Sequence, residues 1–313
     1  MTPAQPLAIG IDEGTGPLVV LVHGFPETPV SWHHQVDPLV DAGYRVVAPW
    51  LRGYGPSPAV DDPADVTADK VADDLAGVAE ALGYEQAVFV GHDWGAASVW
   101  ATAELRPDRV AAMAALSVPF TARSQHPPLE RLAEVFADRF FYMLFFTEPD
   151  RRAEAALSGD VRATLQATYA TWSGHPPAAA RWELPKEASL LDQLADGPTP
   201  WLDDRVLDEG VAAFTDHGFT GPLSYYRAMD LTWHGVPAYG TAPVTCPAMF
   251  LAGELDGVLR FTPTRSMAPP LVPDLRADVR IPDAGHWVQQ ESPEPTTEAL
   301  LAFLRDAAPV PHR

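Results

Sequence analysis

The segment from Ala87 to Ser98, Ala-Val-Phe-Val-Gly-His-Asp-Trp-Gly-Ala-Ala-Ser, constrains the fold more than any other part of the chain. An apolar run of β-branched and aromatic residues ends at Gly91, and the small residues after Trp94 suit the first turn of a helix. The spacing Gly-x-Asp-x-Gly is typical of a nucleophile elbow, in which glycines permit a sharp strand-to-helix turn that exposes the central side chain. Serine usually occupies that central position. Here it is Asp93, so the sequence predicts a carboxylate at the edge of an α/β sheet.

Strand and helix patterns alternate on both sides of this segment, which is typical of an α/β fold with a mostly parallel sheet. The predicted strands are 7–11, 18–22, 45–49, 87–91, 110–116, 247–252 and 276–281, and the predicted helices are 31–42, 67–82, 94–106 and 294–306. Between about residues 120 and 234 the buried-strand pattern stops, and helical segments with proline breaks take its place. We therefore predict a core domain of residues 1–120 and 239–313, and a helical cap of residues 121–238 over the carboxyl ends of the strands.

The aspartate at the elbow indicates the class of chemistry. A serine that attacked saturated carbon would leave an ether, whereas a carboxylate leaves an ester whose carbonyl carbon water can attack. A carboxyl group with a pKa of about 4 is ionised at neutral pH and needs no base for the first attack. We therefore predict displacement at saturated carbon followed by hydrolysis of an Asp93 ester. An oxygen in a strained ring and a halide are both possible leaving groups at this point.

Hydrolysis of the ester requires a base, and the base requires an orienting acid. In elbow hydrolases the chain order is nucleophile, acid, histidine. His286 follows the last predicted strand, and Asp256 follows the strand before it, with Glu254 as the alternative acid. The backbone N–H groups of Phe25 and Trp94 are the expected donors to the oxyanion. We expect His23 and His92 to have structural roles beside this site.

These motifs and several further segments resemble the epoxide hydrolases of the α/β-hydrolase fold over nearly the whole chain. The segments concerned are 23–27 with Ser31-Trp32, Arg52-Gly53-Tyr54-Gly55, 91–95, 141–149 and 221–227. The resemblance implies an α/β-hydrolase fold with a helical cap, and conversion of an epoxide and water to a vicinal diol without a cofactor or metal. It also implies two ring-opening tyrosines, Tyr142 and Tyr226. From the residues alone, Tyr142 suits a core position better than a site, and nothing distinguishes Tyr226 from its neighbour Tyr225.

Two alternatives remain beside the epoxide hydrolase hypothesis. The first is a haloalkane dehalogenase, although those enzymes usually have a halide-binding Asn or Glu where this chain has Phe25. A fluoroacetate-type dehalogenase is disfavoured because no arginine follows Trp94 through Trp100 to bind a carboxylate. A non-catalytic small-ligand-binding member of the fold is the alternative from another class. The chain departs from the epoxide hydrolase pattern at Trp50, Thr147 and Asp150, and none of these positions has a predicted catalytic role.

The amino-acid composition limits the kinds of partner that the protein can bind. The net charge of −21 disfavours binding to nucleic acid and to anionic lipid surfaces. The single cysteine, Cys246, excludes an internal disulfide and fits a reducing compartment, and no apolar run is long enough to span a bilayer.

The six aspartates from Asp61 to Asp74 lack the spacing of an EF-hand loop, so we expect them on the solvated face of a helix. We predict a cytoplasmic protein acting on a small lipophilic epoxide, with a homodimer as one open alternative.

Overall fold

The computed structural model describes residues 5–177, 181, 183–262 and 264–310. Parts of the predicted domains, residues 1–4, 178–180, 182, 263 and 311–313, lie outside the described residues. The strands are β1 Ile9–Gly14, β2 Leu18–Val22, β3 Arg45–Pro49, β4 Ala87–His92, β5 Val110–Leu116, β6 Ala248–Gly253 and β7 Leu275–Ile281. The helices are α1 His33–Asp41, α2 Ala68–Ala81, α3 Trp94–Leu105, α4 Pro128–Val135, α5 Tyr142–Thr147, α6 Arg152–Ser158, α7 Val161–Trp172, α8 Leu190–Gln193, α9 Asp204–His217, α10 Thr220–Arg227, α11 Met229–Gly235, α12 Val288–Glu291 and α13 Pro293–Ala307.

Among the described residues, the strands form one sheet of seven in the order β1-β3-β2-β4-β5-β6-β7. In the part of the chain that the structure describes, only β1 runs antiparallel to its neighbour, β3, and the remaining pairs are parallel. Parallel strands need crossover connections, and helices from those connections cover both faces of the sheet. The carboxyl ends of β2, β4, β6 and β7 therefore meet at one edge, which is where the predicted functional residues follow the strands.

Alternation along β2 illustrates how the core divides between the two faces of the sheet. Val19 and Leu21 pack in the cluster that contains the apolar side chains of α1 and α13, whereas Leu18, Val20 and Val22 pack in the cluster that contains those of α2 and α3. All five side chains are buried, with at most 2% exposed. Successive side chains of a strand point to opposite faces, so a strand covered by helices on both sides must be apolar throughout.

Helices α4 to α11 lie in sequence between β5 and β6, in agreement with the predicted helical insertion. Polar contacts connect this insertion to the rest of the chain. The Thr28 hydroxyl donates to Glu209 of α9 at 2.7 Å, and the Ala68 N–H donates to the Thr232 hydroxyl of α11 at 3.1 Å. No helix among the described residues is long and apolar enough to cross a membrane.

Three local predictions need correction. The first strand begins at Ile9 rather than residue 7 and extends to Gly14, because it pairs along β3 to that point. The predicted helix 31–42 is a 3-10 turn, Pro29–Trp32, followed by α1. Asp74 does not lie on the solvated face of α2, since its carboxylate accepts from the Arg52 Nε at 2.6 Å. Burial raises the pKa of Asp74 although that ion pair lowers it.

Candidate active site

Asp93 lies in the turn between β4 and α3 with strained backbone angles, φ 53° and ψ −119°. A left-handed φ is unfavourable for a residue with a Cβ, and such strain persists only where the surroundings enforce it. Close packing of the neighbouring glycines enforces it here. A Cβ on Gly91 would lie 2.2 Å from the Gly95 carbonyl oxygen, and one on Gly95 would lie 2.1 Å from the Val22 carbonyl oxygen. Only glycine fits at either position, so the turn keeps the Asp93 side chain above the sheet.

His286 lies between two carboxylates. Its Nδ1 is 3.2 Å from each carboxylate oxygen of Asp256, and its Nε2 is 3.5 Å from Asp93 Oδ2. Burial alone would lower the pKa of His286, but attraction to Asp256 and hydrogen bonds to both carboxylates raise it to about 10. The imidazolium is therefore the resting form at neutral pH. Glu254, the alternative acid, is exposed, whereas Asp256 is buried and also accepts from the Val258 N–H at 2.8 Å.

The Phe25 N–H donates to Asp93 Oδ1 at 2.8 Å. Gly24 permits this approach, because a Cβ there would lie 2.4 Å from the Asp93 Cβ. Trp94, the other predicted donor, opens α3, and N–H groups of a first helical turn have no partner within the helix. Among the described residues, the Trp94 N–H makes no hydrogen bond to the resting carboxylate. The arrangement holds one oxygen of Asp93 in place and leaves the other facing His286.

Tyr142, in the first turn of α5, and Tyr226, in α10, lie beside each other with ring centroids 6.3 Å apart, and both line a small cavity with Asp93. Burial and the charge of Asp93 raise the pKa of both phenols well above 10, so both are protonated at neutral pH. Tyr225 points elsewhere, and its hydroxyl donates to the Arg52 carbonyl oxygen at 3.0 Å. The structure thus brings Tyr226, and not Tyr225, together with Tyr142 and His286 around a small cavity.

Two cavities meet at Asp93. The smaller, about 30 Å³, is lined by aromatic side chains, among them Phe25, Tyr142 and Trp172, together with aliphatic ones and His286. The larger, about 270 Å³, extends between α3, α4 and the α10–α11 pair, and its lining is predominantly apolar. Among the described residues, no group of three or more His, Cys, Asp or Glu side chains is arranged to hold a metal ion. A carboxylate, an imidazolium and two phenols at the junction of apolar cavities can open a polarised bond to saturated carbon.

Comparison with known proteins identifies the family. The sequence matches the family model of the α/β hydrolase fold over residues 17–293. Epoxide hydrolase A of Mycobacterium tuberculosis is 41% identical over 296 residues, which cover 93% of this chain and 91% of that protein. The chain belongs to the epoxide hydrolase family of the α/β-hydrolase fold.

Solved epoxide hydrolases share its architecture. Epoxide hydrolase A from Mycobacterium thermoresistibile superimposes with a TM-score of 0.88 at 43% identity, covering 94% of this chain and 93% of that one. Epoxide hydrolase I from potato (Solanum tuberosum) gives a TM-score of 0.83 at 31% identity, covering 94% of each chain. Both structures are more than 30% identical to this chain in sequence, over more than 90% of each chain.

A buried network behind the epoxide hydrolase site was not predicted from the sequence. Glu27, fully buried, accepts from four donors: the Gly24 N–H, His92 Nδ1 and the side-chain amides of Gln289 and Gln290, at 2.7–3.0 Å. His92 Nε2 donates to the His286 carbonyl oxygen at 2.8 Å. The two ring nitrogens of His92 thus connect Glu27 to the backbone at His286. The sequence placed Glu27 three residues after Gly24, but nothing in it indicated the partners near residue 290.

The histidines beside the site have the structural roles that we expected. His23 Nε2 accepts from the Leu51 N–H at 3.1 Å, and Nδ1 lies 3.0 Å from the Gly24 carbonyl oxygen. Burial lowers the pKa of His23 to about 4, so its ring is neutral and joins the turn after β2 to the loop after β3. His92 joins the elbow to the loop that carries His286.

Proposed function

We propose that this protein hydrolyses an epoxide to a vicinal diol through a covalent ester on Asp93. The observation that carries the proposal is the arrangement around that carboxylate. Oδ1 accepts the Phe25 N–H at 2.8 Å, Oδ2 lies 3.5 Å from His286 Nε2, and two protonated phenols stand on the cap side. Membership of the epoxide hydrolase family supports the reaction class, and the geometry supports the individual roles.

In the first step, Asp93 Oδ2 attacks a ring carbon, and the carbon–oxygen bond of the epoxide breaks. The developing alkoxide takes a hydrogen bond and then a proton from the Tyr142 and Tyr226 hydroxyls. Because burial keeps both phenols protonated, they donate without any prior proton transfer. Two donors divide the developing charge, and preorganised donors of this kind are usually the largest single contribution to rate.

In the second step, water attacks the carbonyl carbon of the Asp93 ester while His286 takes its proton. Formation of the ester removes one of the two negative charges that raise the pKa of His286. The pKa of the ring therefore falls in the intermediate, and His286 gives up its proton while the tyrosine that protonated the alkoxide regains one. The net charge of the site is unchanged by this exchange, and the neutral imidazole can act as a base. The oxyanion forms on Asp93 Oδ1, where the Phe25 N–H already lies at hydrogen-bond distance and the Trp94 N–H is the second donor. As this intermediate collapses, the bond between the carbonyl carbon and the diol oxygen breaks, and that oxygen takes the proton from His286. The new Asp93 carboxyl group then gives its proton to the imidazole, which restores the carboxylate and the imidazolium.

The cavities support a lipophilic substrate. An apolar cavity of about 150 Å³ is large enough to bind benzene. The larger cavity here, about 270 Å³, has room for an apolar substituent of roughly twice that size. The smaller cavity between the tyrosines and His286, about 30 Å³, has space for no more than the three-membered ring.

A single turnover in ¹⁸O-water tests the covalent route. With enzyme in excess of styrene oxide, the first diol formed should contain no ¹⁸O, because its new oxygen comes from Asp93. Label should then appear in Asp93 and, in later turnovers, in the diol. Diol that carries ¹⁸O from the first turnover would show direct attack by water and overturn the mechanism.

We also propose that the chain divides into a core of residues 1–120 and 239–313 and a cap of residues 121–238. A cytoplasmic location, and a homodimer as one alternative for the assembly, are further proposals. The run of α4 to α11 between β5 and β6 supports the division, and the free cysteine Cys246 supports the cytoplasmic location.

A further inference from the structure

Glu291, at the end of α12, accepts three backbone N–H groups. Its Oε2 accepts from Gly285 at 3.1 Å and from Gly174 at 2.8 Å, and its Oε1 accepts from Trp287 at 3.0 Å. Gly285 and Trp287 are the two residues that flank His286. Gly174 belongs to the helical insertion, just after α7. One carboxylate therefore holds both sides of the histidine loop and connects them to the insertion.

The backbones of the insertion and the histidine loop are in direct contact at this point. A Cβ on Gly285 would lie 2.1 Å from the Gly174 nitrogen, so the two glycines pack without any side chain between them. The His286 N–H donates to the Trp172 carbonyl oxygen at 3.1 Å, and the Trp287 indole donates to the Tyr169 carbonyl oxygen at 3.0 Å. The His286 carbonyl oxygen is held from the other side by Ser117 Oγ at 2.7 Å. The backbone of His286 thus depends on the insertion as much as on the sheet.

We infer that Glu291 is a positioning residue, which orients His286 for ester hydrolysis by fastening its loop to the cap at Gly174. The inference rests on the proposed function, in which His286 acts only in the second step. In the resting enzyme, ion pairs with Asp93 and Asp256 also hold the ring. After ester formation the Asp93 charge is lost, and only Asp256 and the backbone anchors hold the ring towards the ester carbonyl. Removal of Glu291 should therefore slow the second step and leave the first step nearly unchanged.

Glu291→Gln tests the role with little change in shape. The amide has one oxygen where three N–H donors converge, and its NH₂ group must face at least one of them. We expect hydrolysis of the ester to slow by about 10- to 100-fold, the scale of loss when a catalytic group is displaced by up to 1 Å. Alkylation of Asp93 by styrene oxide should change less than about 3-fold. Rapid quench with intact-protein mass spectrometry measures both rates, because the ester adds the mass of the epoxide.

Two further variants separate positioning from general damage. Gly174→Ala acts from the cap side, since its Cβ would lie 2.8 Å from the Gly285 nitrogen, and it should reproduce the selective loss. Glu104→Gln is the matched control. Glu104 has a buried carboxyl group, whose pKa burial raises to about 8, and it accepts the Gly240 N–H at 2.8 Å where the chain returns from the insertion. Its hydrolysis rate should equal that of the wild type.

The outcomes are distinguishable. If Glu291→Gln hydrolyses the ester at the wild-type rate, or loses both steps equally, Glu291 has no positioning role. If the wild type itself forms no ester, the proposed function fails and the inference with it. The positioning role is supported if the wild type forms the ester, and if that ester is hydrolysed more slowly in Glu291→Gln and Gly174→Ala but not in Glu104→Gln.

Discussion

Tyr225 and Tyr226 are adjacent in α10 and make a matched pair for testing the ring-opening step. The hydroxyl of Tyr225 donates to the Arg52 carbonyl oxygen at 3.0 Å, on the side of α10 that faces the loop after β3. The ring of Tyr226 lies within 5.0 Å of the Trp94 ring and 6.3 Å of the Tyr142 ring, measured between centroids, and lines the smaller cavity. Each change to phenylalanine removes one oxygen and keeps the ring.

Tyr226→Phe should slow the reaction, whereas Tyr225→Phe should mainly lower the stability of the fold. Tyr226→Phe removes one of two donors to the alkoxide, and loss of one preorganised donor costs about 10²–10³-fold in rate. Because Tyr142 remains, we expect a loss of about 10²-fold in alkylation of Asp93 and little change in Tm. Tyr225→Phe removes a neutral hydrogen bond with a net contribution of about 1 kcal/mol. That change should lower Tm by about 2 °C and leave the alkylation rate within about 3-fold of wild type.

Single-turnover stopped-flow fluorescence at saturating styrene oxide measures alkylation directly, because Trp94 and Trp172 lie beside the site. Saturation matters, since Tyr225 also lines the larger cavity and its substitution can change substrate affinity. Thermal unfolding of both variants gives the stability difference. Equal losses of alkylation in the two variants, or a larger loss in Tyr225→Phe, would refute the assignment of Tyr226 as donor.

Other perturbations address the remaining groups. His286→Gln should form the ester and hydrolyse it about 10²–10⁴-fold more slowly, so incubation with styrene oxide should add its mass to the protein; unmodified protein would contradict the role of His286. Asp256→Asn removes the carboxylate that both orients His286 and raises its pKa. The rate of ester hydrolysis should therefore fall by up to about 10⁴-fold in the same mass assay. A wild-type rate would exclude Asp256 as the orienting acid. The pKa of His286 is about 10 in the folded protein and about 6.5 when unfolded, so its contribution to stability is complete below pH 6.5 and is lost as the pH rises to about 10. The free energy of unfolding should therefore fall more steeply with pH over this window in the wild type than in His286→Gln, and parallel curves from denaturant titrations would refute the charged resting state.

The sequence by itself determined the features that depend on local pattern. The glycines around Asp93 predicted the elbow, because a turn this tight has no space for a Cβ at Gly91 or Gly95. Continuous apolar runs predicted the buried parallel strands, and the order of Asp93, Asp256 and His286 matched a known chain order of nucleophile, acid and base. Family comparison confirms the fold and the family, and the roles of the individual site residues stay predictions.

Only the tertiary structure decided which side chains meet. Tyr225 and Tyr226 have the same chemistry and adjacent positions, so the choice between them depends on how α10 is rotated against the sheet. Asp256 and Glu254 differ in burial, which follows from the packing of the loop after β6 and not from its composition. The contacts of Glu27 and Glu291 connect segments more than one hundred residues apart in the chain. Short-range patterns carry no information about such contacts, because long-range packing of helices on the sheet creates them.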